Sequence, residues 1–221
     1  MCIGQEKCTE LGDPSTWDLN CPLRPPGWFE DELSKFDEAL DEFIRGNRNN
    51  CIGLLESVRS DEIRGWYIEH GQMSGRFRTI HFSVLPPPEI SKENRDTPRS
   101  PKSYEKAVFK RDGYRCRYCG IRLVSNTGLL KLIEILDSPA FRRGPTNMVT
   151  HGIVHAFYPV ADHVFPWNYG GRTSLDNLVA SCASCNYGKA GFTIDQLGIT
   201  DPLLRQPVVD GWNGLSKKLP T

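Results

Sequence analysis

The sequence has no run of about eighteen apolar residues, which excludes a helical span of bilayer length. Its opening, MCIGQEKCTELGDPSTW, lacks a basic segment followed by an apolar one. No secretory signal is therefore expected, and a cytoplasmic location without membrane attachment is. Internal repeats and low-complexity tracts are also missing, so solenoid and tract-type chains are set aside. Net charge is absent in total, with 27 Lys and Arg against 27 Asp and Glu in 221 residues. That balance hides an asymmetry. Residues 1–70 carry 15 acidic against 7 basic side chains, and residues 71–221 carry 12 against 20. An acidic half implies a solvated face or a protein partner's surface, whereas a basic half that also holds the paired cysteines suggests a polyanion.

What is present has the composition of a soluble globular protein, 38% hydrophobic and 24% charged. Residues 1–28 show no period and read as irregular. The segment from Glu30, EDELSKFDEALDEFIR, puts Leu33, Phe36, Leu40, Phe43 and Ile44 on one stripe and predicts an amphipathic helix ending near Gly46. A second helix is expected over Ile52–Val58, continuing after a break through Ile63, Trp66 and Tyr67, and RFRTIHFSVL alternates as a strand does. These elements make residues 1–85 a small, mixed, mostly helical N-terminal domain. Pro86, Pro87 and Pro88 open a polar stretch, 86–101, that reads as a linker. From Ser103, a possible cap, SYEKAVFKRDG predicts a helix leading to Cys116. TGLLKLIEILDSP is apolar on most of its circumference and predicts a buried helix.

Cys116-Arg-Tyr-Cys119 and Cys182-Ala-Ser-Cys185 are two C-x-x-C units with 62 residues between them. Each forms a turn that aims two sulfurs at one point, and two turns together supply the four thiolates that tetrahedral Zn²⁺ takes at about 2.3 Å. A thioredoxin-like dithiol needs only one such unit, so the pair of units favours structural zinc over redox chemistry. Cys2, Cys8, Cys21 and Cys51 follow no compact ligand spacing and read as small apolar residues, with a second metal site as the alternative. His151 and His155 in THGIVHAF are four apart, which suits a metal only on a helix. Gly152, Ile153 and Val154 favour strand or loop there.

Between the pairs, Tyr158–Val164 reads as a strand, 166–171 as a turn containing Gly170-Gly171, Asn177 onward as a returning strand, and Ser181 onward as a helix. That order is a ββα unit. C-R-Y-C, A-D-H-V-F-P, G-G, D-N-L-V and C-A-S-C-N-Y-G-K, in this order, resemble the HNH endonuclease family, the ββα-metal nucleases, over about Ser103–Gly191. The resemblance implies an α+β chain with a ββα-metal nuclease core braced by the four-cysteine zinc site. It places the nuclease domain at 102–195, with a helical insertion at about 124–155 and a C-terminal tail at 196–221. It further implies His163 as the general base, Asp162 as a ligand of a catalytic Mg²⁺ or Mn²⁺, and Asn177 as the asparagine that holds the hairpin. Asn186 stands where the family often has a metal-binding His, and its amide oxygen is a neutral, weaker ligand.

The implied substrate is DNA, cut by phosphodiester hydrolysis, with a restriction or phage-defence role as the preferred analogy. The alternative is a catalytically silent, zinc-bearing nucleic-acid-binding module. Eight Lys and Arg fall between Arg99 and Arg122 against Glu105 and Asp112. Lys110, Arg111, Arg115 and Arg117 are taken from this patch as phosphate contacts, and Arg172 and Lys189 as contacts nearer the scissile bond.

Overall fold

The computed structural model describes residues 20–22, 26–67 and 84–216. The strand expected over RFRTIHFSVL lies outside these residues apart from Val84 and Leu85, and so do Cys2 and Cys8. Among the described residues, no helix is long and apolar enough to cross a membrane.

Three helices lead: α1 (Gly27–Ile44), α2 (Arg48–Glu56) and α3 (Ser60–Trp66). Of the stripe read from the sequence, Phe36, Leu40 and Phe43 are buried, Leu33 is half-buried and Ile44 is exposed. Helix α4 (Glu105–Arg111) starts one residue later than a Ser103 cap would begin it; Tyr104 occupies the cap position and Tyr104 N–H donates to Pro101 O at 2.8 Å. After the first cysteine pair comes α5 (Asn126–Leu136), whose cap is the Ser125 hydroxyl, accepting from Gly128 N–H at 3.0 Å. This helix is not buried all round: Leu129, Leu132 and Leu136 are inside, whereas Leu130 and Ile135 face solvent.

THGIVHAF was expected to be strand or loop, and it forms a helix, α6 (Gly152–Phe157). Close approach overrides the local β preference here. A Cβ on Gly152 would lie 2.1 Å from Ser60 O, so only glycine lets α6 start against α3. Two strands follow, β1 (Pro159–His163) and β2 (Leu178–Cys182), paired antiparallel with Asp162 opposite Val179 and His163 opposite Leu178. Helix α7 (Ala183–Lys189) runs directly out of β2, and α8 (Ile194–Leu197) opens on a reciprocal cap between Thr193 and Gln196. The described architecture is thus α+β, with a β1–β2–α7 unit at its centre.

Two apolar clusters hold these parts together. One joins α1, α2 and α3 to α5 and α6, with the Phe36 and Phe157 rings stacked at 4.1 Å between centroids. The other packs Val108, Phe109 and Leu123 against Ala161, Leu178, Val179 and Ala180, fixing α4 under the hairpin. The acidic face of α1 is partly used internally. Arg122 donates to Asp37 Oδ1 at 2.9 Å and to Asp41 Oδ1 at 2.6 Å.

Candidate functional site

The four paired cysteines meet. The sulfurs of Cys116, Cys119, Cys182 and Cys185 all lie within 4.8 Å of one another, placed to hold a metal ion. Cys119 and Cys182 are 3.7 Å apart at sulfur, close to the edge of about 3.8 Å that a tetrahedron with bonds of about 2.3 Å requires. Charge points the same way. Burial resists ionisation of Cys116, but hydrogen bonds from the other three thiols outweigh it and hold Cys116 well below the ordinary thiol range. Cys119, Cys182 and Cys185 are raised. Cys116, Cys182 and Cys185 are buried and Cys119 is at the surface, and four thiols this close ionise together only around a cation. Cys21 lies beside this group, 3.7 Å from Cys185 at sulfur, and Cys51 is buried in the larger apolar cluster.

The four-cysteine site is joined to the hairpin through Cys182, which ends β2 and caps α7, accepting from Cys185 N–H at 3.3 Å. Asp112 ties the hairpin from below. Fully buried, it accepts from Ala180 N–H on β2 at 2.7 Å, from Arg117 at 3.0 Å and from Arg111 at 2.8 and 2.9 Å. Asn177 staples the loop between the strands. Its amide oxygen accepts from Phe165 N–H at 2.8 Å, and its NH₂ donates to Phe165 O at 3.0 Å and Arg172 O at 2.9 Å. At Gly171 a Cβ would sit 1.9 Å from Phe165 O, so this tight return requires glycine.

Asp162, His163, Asn186 and Lys189 line one cleft of about 720 Å³. Asp162 is buried there, accepting from the Tyr118 hydroxyl at 2.7 Å, with the Lys189 ammonium 3.6 Å from the same oxygen. Burial pushes its carboxyl up, against the pull of Lys189 and Tyr118. The His163 ring nitrogen Nε2 is 2.8 Å from Thr173 Oγ1, and that hydroxyl donates to Pro98 O at 2.6 Å. A hydroxyl has one proton. With it given to a carbonyl, Thr173 can only accept from His163, so the proton of the neutral ring sits on Nε2 and the lone pair on Nδ1. Burial, then the nearby Lys189 and Arg99 cations, lowers the imidazole to about 4 and keeps it neutral at pH 7.

Residues 159–190 match the HNH endonuclease family model. The matched segment is β1 through α7, the unit that carries the cleft residues and the second cysteine pair. No curated protein and no solved structure matches the chain.

Around this HNH segment the basic side chains divide. Arg117 is buried, with its guanidinium bonded to Asp112, Pro202 O and Arg205 O. Arg111 donates to Asp112, Leu175 O and Leu178 O, and Arg115 to Asp210 and Gly120 O. These three were expected to face phosphates, and their guanidinium donors are instead engaged by protein acceptors, some of them, such as Leu175 O, Pro202 O and Asp210, distant in sequence. Lys110 and Arg172 are exposed, and Lys189 is buried at the cleft.

Sequence reasoning does not single out Thr173 or Tyr118, and it reads 86–101 as a linker only. That stretch is a strap laid on the HNH loop: Ile90 N–H donates to Asn168 O at 2.9 Å, Trp167 Nε1–H to Thr97 O at 2.8 Å, and Thr173 N–H to Thr97 Oγ1 at 2.7 Å. Tyr118 carried one signal, its place inside the first C-x-x-C. The strap carried none, because its bonds run to residues some seventy positions away.

Proposed function

We propose that this chain is a cytoplasmic, metal-dependent endonuclease that hydrolyses phosphodiester bonds in DNA, with His163 as general base. The observation that carries the reading is the proton chain His163–Thr173–Pro98, which leaves Nδ1 without a partner among the described residues on a ring that lines the cleft. Water gives a proton to Nδ1 as its oxygen bonds to phosphorus, and the bond from phosphorus to the leaving sugar oxygen breaks. A bound phosphate offsets the Lys189 and Arg99 charges, which raises the basicity of the ring when substrate is present.

On a cleft that Glu105 and Asn168 also line, Asp162 and Asn186 are the oxygen donors assigned to the catalytic cation. They form a sparse set suited to an ion that keeps several waters, such as Mg²⁺ or Mn²⁺. That cation would supply neutralisation of the charge building on the phosphate oxygens. Zn²⁺ fits the cysteine centre, where it holds α7 against the first knuckle and stays away from substrate. Lys110 and Arg172, exposed beside the unit, are further phosphate contacts in this reading. A restriction or phage-defence role is attached to it by analogy alone.

One contact favours the silent binding module instead: the Lys189 ammonium rests on the carboxylate assigned to the cation. Nicking of supercoiled plasmid with Mg²⁺ or Mn²⁺, abolished by EDTA and by His163→Ala, is the expected result. Equal nicking by wild type and the alanine variant would remove His163 as the base. No nicking with either metal would leave the binding module.

A further inference from the structure

Strap residues 89–101 carry Glu89, Lys92, Glu93, Arg95, Asp96 and Arg99, three charges of each sign, and by composition have no preference for a partner. The fold sorts them. Lys92, Arg95 and Arg99 line the cleft that holds His163, while Glu89 accepts from the Asn168 side chain at 3.3 Å and Glu93 turns back on Ser91 and its own backbone, with a weaker attraction to Arg95. Lys92 and Arg99 have no acidic partner among the described residues. Arg95 is held in place, its guanidinium 3.9 Å over the Trp167 ring and its Nε–H donating to Ile90 O at 2.8 Å. The strap is itself fixed by the bonds that Trp167 and Thr173 donate to Thr97 and Pro98. Its cations therefore stand along a rigid wall. Arg99, next in the chain to the Pro98 carbonyl that holds Thr173, bears electrostatically on His163.

We propose that the strap is a phosphate rail: Lys92, Arg95 and Arg99 hold neighbouring backbone phosphates of the nucleic-acid substrate, with Arg99 at the phosphate closest to the base. This rests on the nuclease reading of the cleft and adds a sequence-independent binding wall outside the matched segment. Phosphate neutralisation releases counterions, so each rail cation contributes to the salt dependence of binding. A cation beside the reacting phosphate also acts on the chemical step, whereas one farther along acts on binding alone.

The test uses the full chain and a labelled DNA duplex, with binding measured against salt in a His163→Ala background so that turnover does not interfere. Lys92→Gln and Arg99→Gln should each lower the slope of log K against log salt by about 0.9. With His163 restored, Lys92→Gln should raise KM at unchanged kcat, and Arg99→Gln should lower kcat as well. Glu93→Gln, on the same strap but off the cleft, should leave the slope and affinity at wild-type values. Zinc content and melting temperature check that each variant is folded.

Wild-type slopes for both cation variants, in a protein that still nicks DNA through His163, would overturn the rail and leave the nuclease reading standing. A gain of affinity in Glu93→Gln equal to the loss in Lys92→Gln would also overturn it, because bulk charge would then suffice. If the slopes fall as expected and the wild type cuts nothing, the rail stands and the nuclease reading does not.

Discussion

The His163 Nε2–H donates a hydrogen bond to Thr173 Oγ1, and the Thr173 hydroxyl in turn donates to Pro98 O. This short chain of bonds sets both the tautomer and the rotation of the ring. Thr173→Val keeps the shape of the side chain and removes the acceptor. It should lower kcat by roughly tenfold or more while KM and zinc content stay at wild-type values. Thr173→Ser retains the hydroxyl and should recover most of the rate. Equal rates for the Val and Ser variants would show that the hydroxyl does not orient the base.

Arg117 and Asp112 form a buried pair in which the carboxylate also holds the backbone of β2. Arg117→Gln takes one of two guanidinium partners from that carboxylate, which Arg111 still pairs, so the loss should fall below the cost of breaking a buried pair outright, at about 1–3 kcal/mol for a hydrogen bond to a charged group. Urea melts of Arg117→Gln should show a loss of this order, and the salt slope of DNA binding should not move. A smaller slope with intact stability would return Arg117 to the surface contacts.

Metal removal should unfold the hairpin rather than only silence it. Cys182 is at once a ligand, the last residue of β2 and the cap of α7. Dialysis against a strong chelator should release about one Zn²⁺ per chain, lower the melting temperature and make β2 amides exchange. Re-addition of Zn²⁺ should reverse all three. A chain that keeps its melting temperature with no bound metal would refute a structural role for the centre.

His151 offers a pH test away from the cleft. Burial lowers it from 6.5 to about 4, with Arg64 and His155 adding to the shift while a backbone bond to Leu55 and the charge of Asp61 oppose it. The neutral ring is the form the fold accepts. Its contribution is complete above pH 6.5 and is lost as pH falls toward 4, because the unfolded chain takes up the proton first. At about 1.36 kcal/mol per unit, the shift corresponds to roughly 3 kcal/mol. Denaturant melts across this window should show wild type losing stability faster than His151→Leu, and parallel pH profiles would sink the assignment.

Local patterns were legible in the sequence and tertiary bonds were not. The α1 stripe repeats every three to four residues, so Phe36, Leu40 and Phe43 declare their common face. Each C-x-x-C is a turn complete in four residues, and two such turns need only meet. By contrast, nothing near Arg117 reveals that the carbonyls of Pro202 and Arg205 take its donors. Val154 and Ile153 prefer strands in isolation, yet Gly152 lets their turn nest on Ser60 as helix. The stretch 89–101 has prolines and no period, which marks irregular chain but does not say where that chain lies.

Phe157, two residues ahead of β1, stacks on Phe36 in the first helix. The start of the matched segment is thus mortised into a part of the molecule more than a hundred residues earlier. Such a segment is not a cassette. Grafted alone onto another scaffold, it would bring its own signature residues but leave behind the aromatic footing that sets the pitch of its first strand.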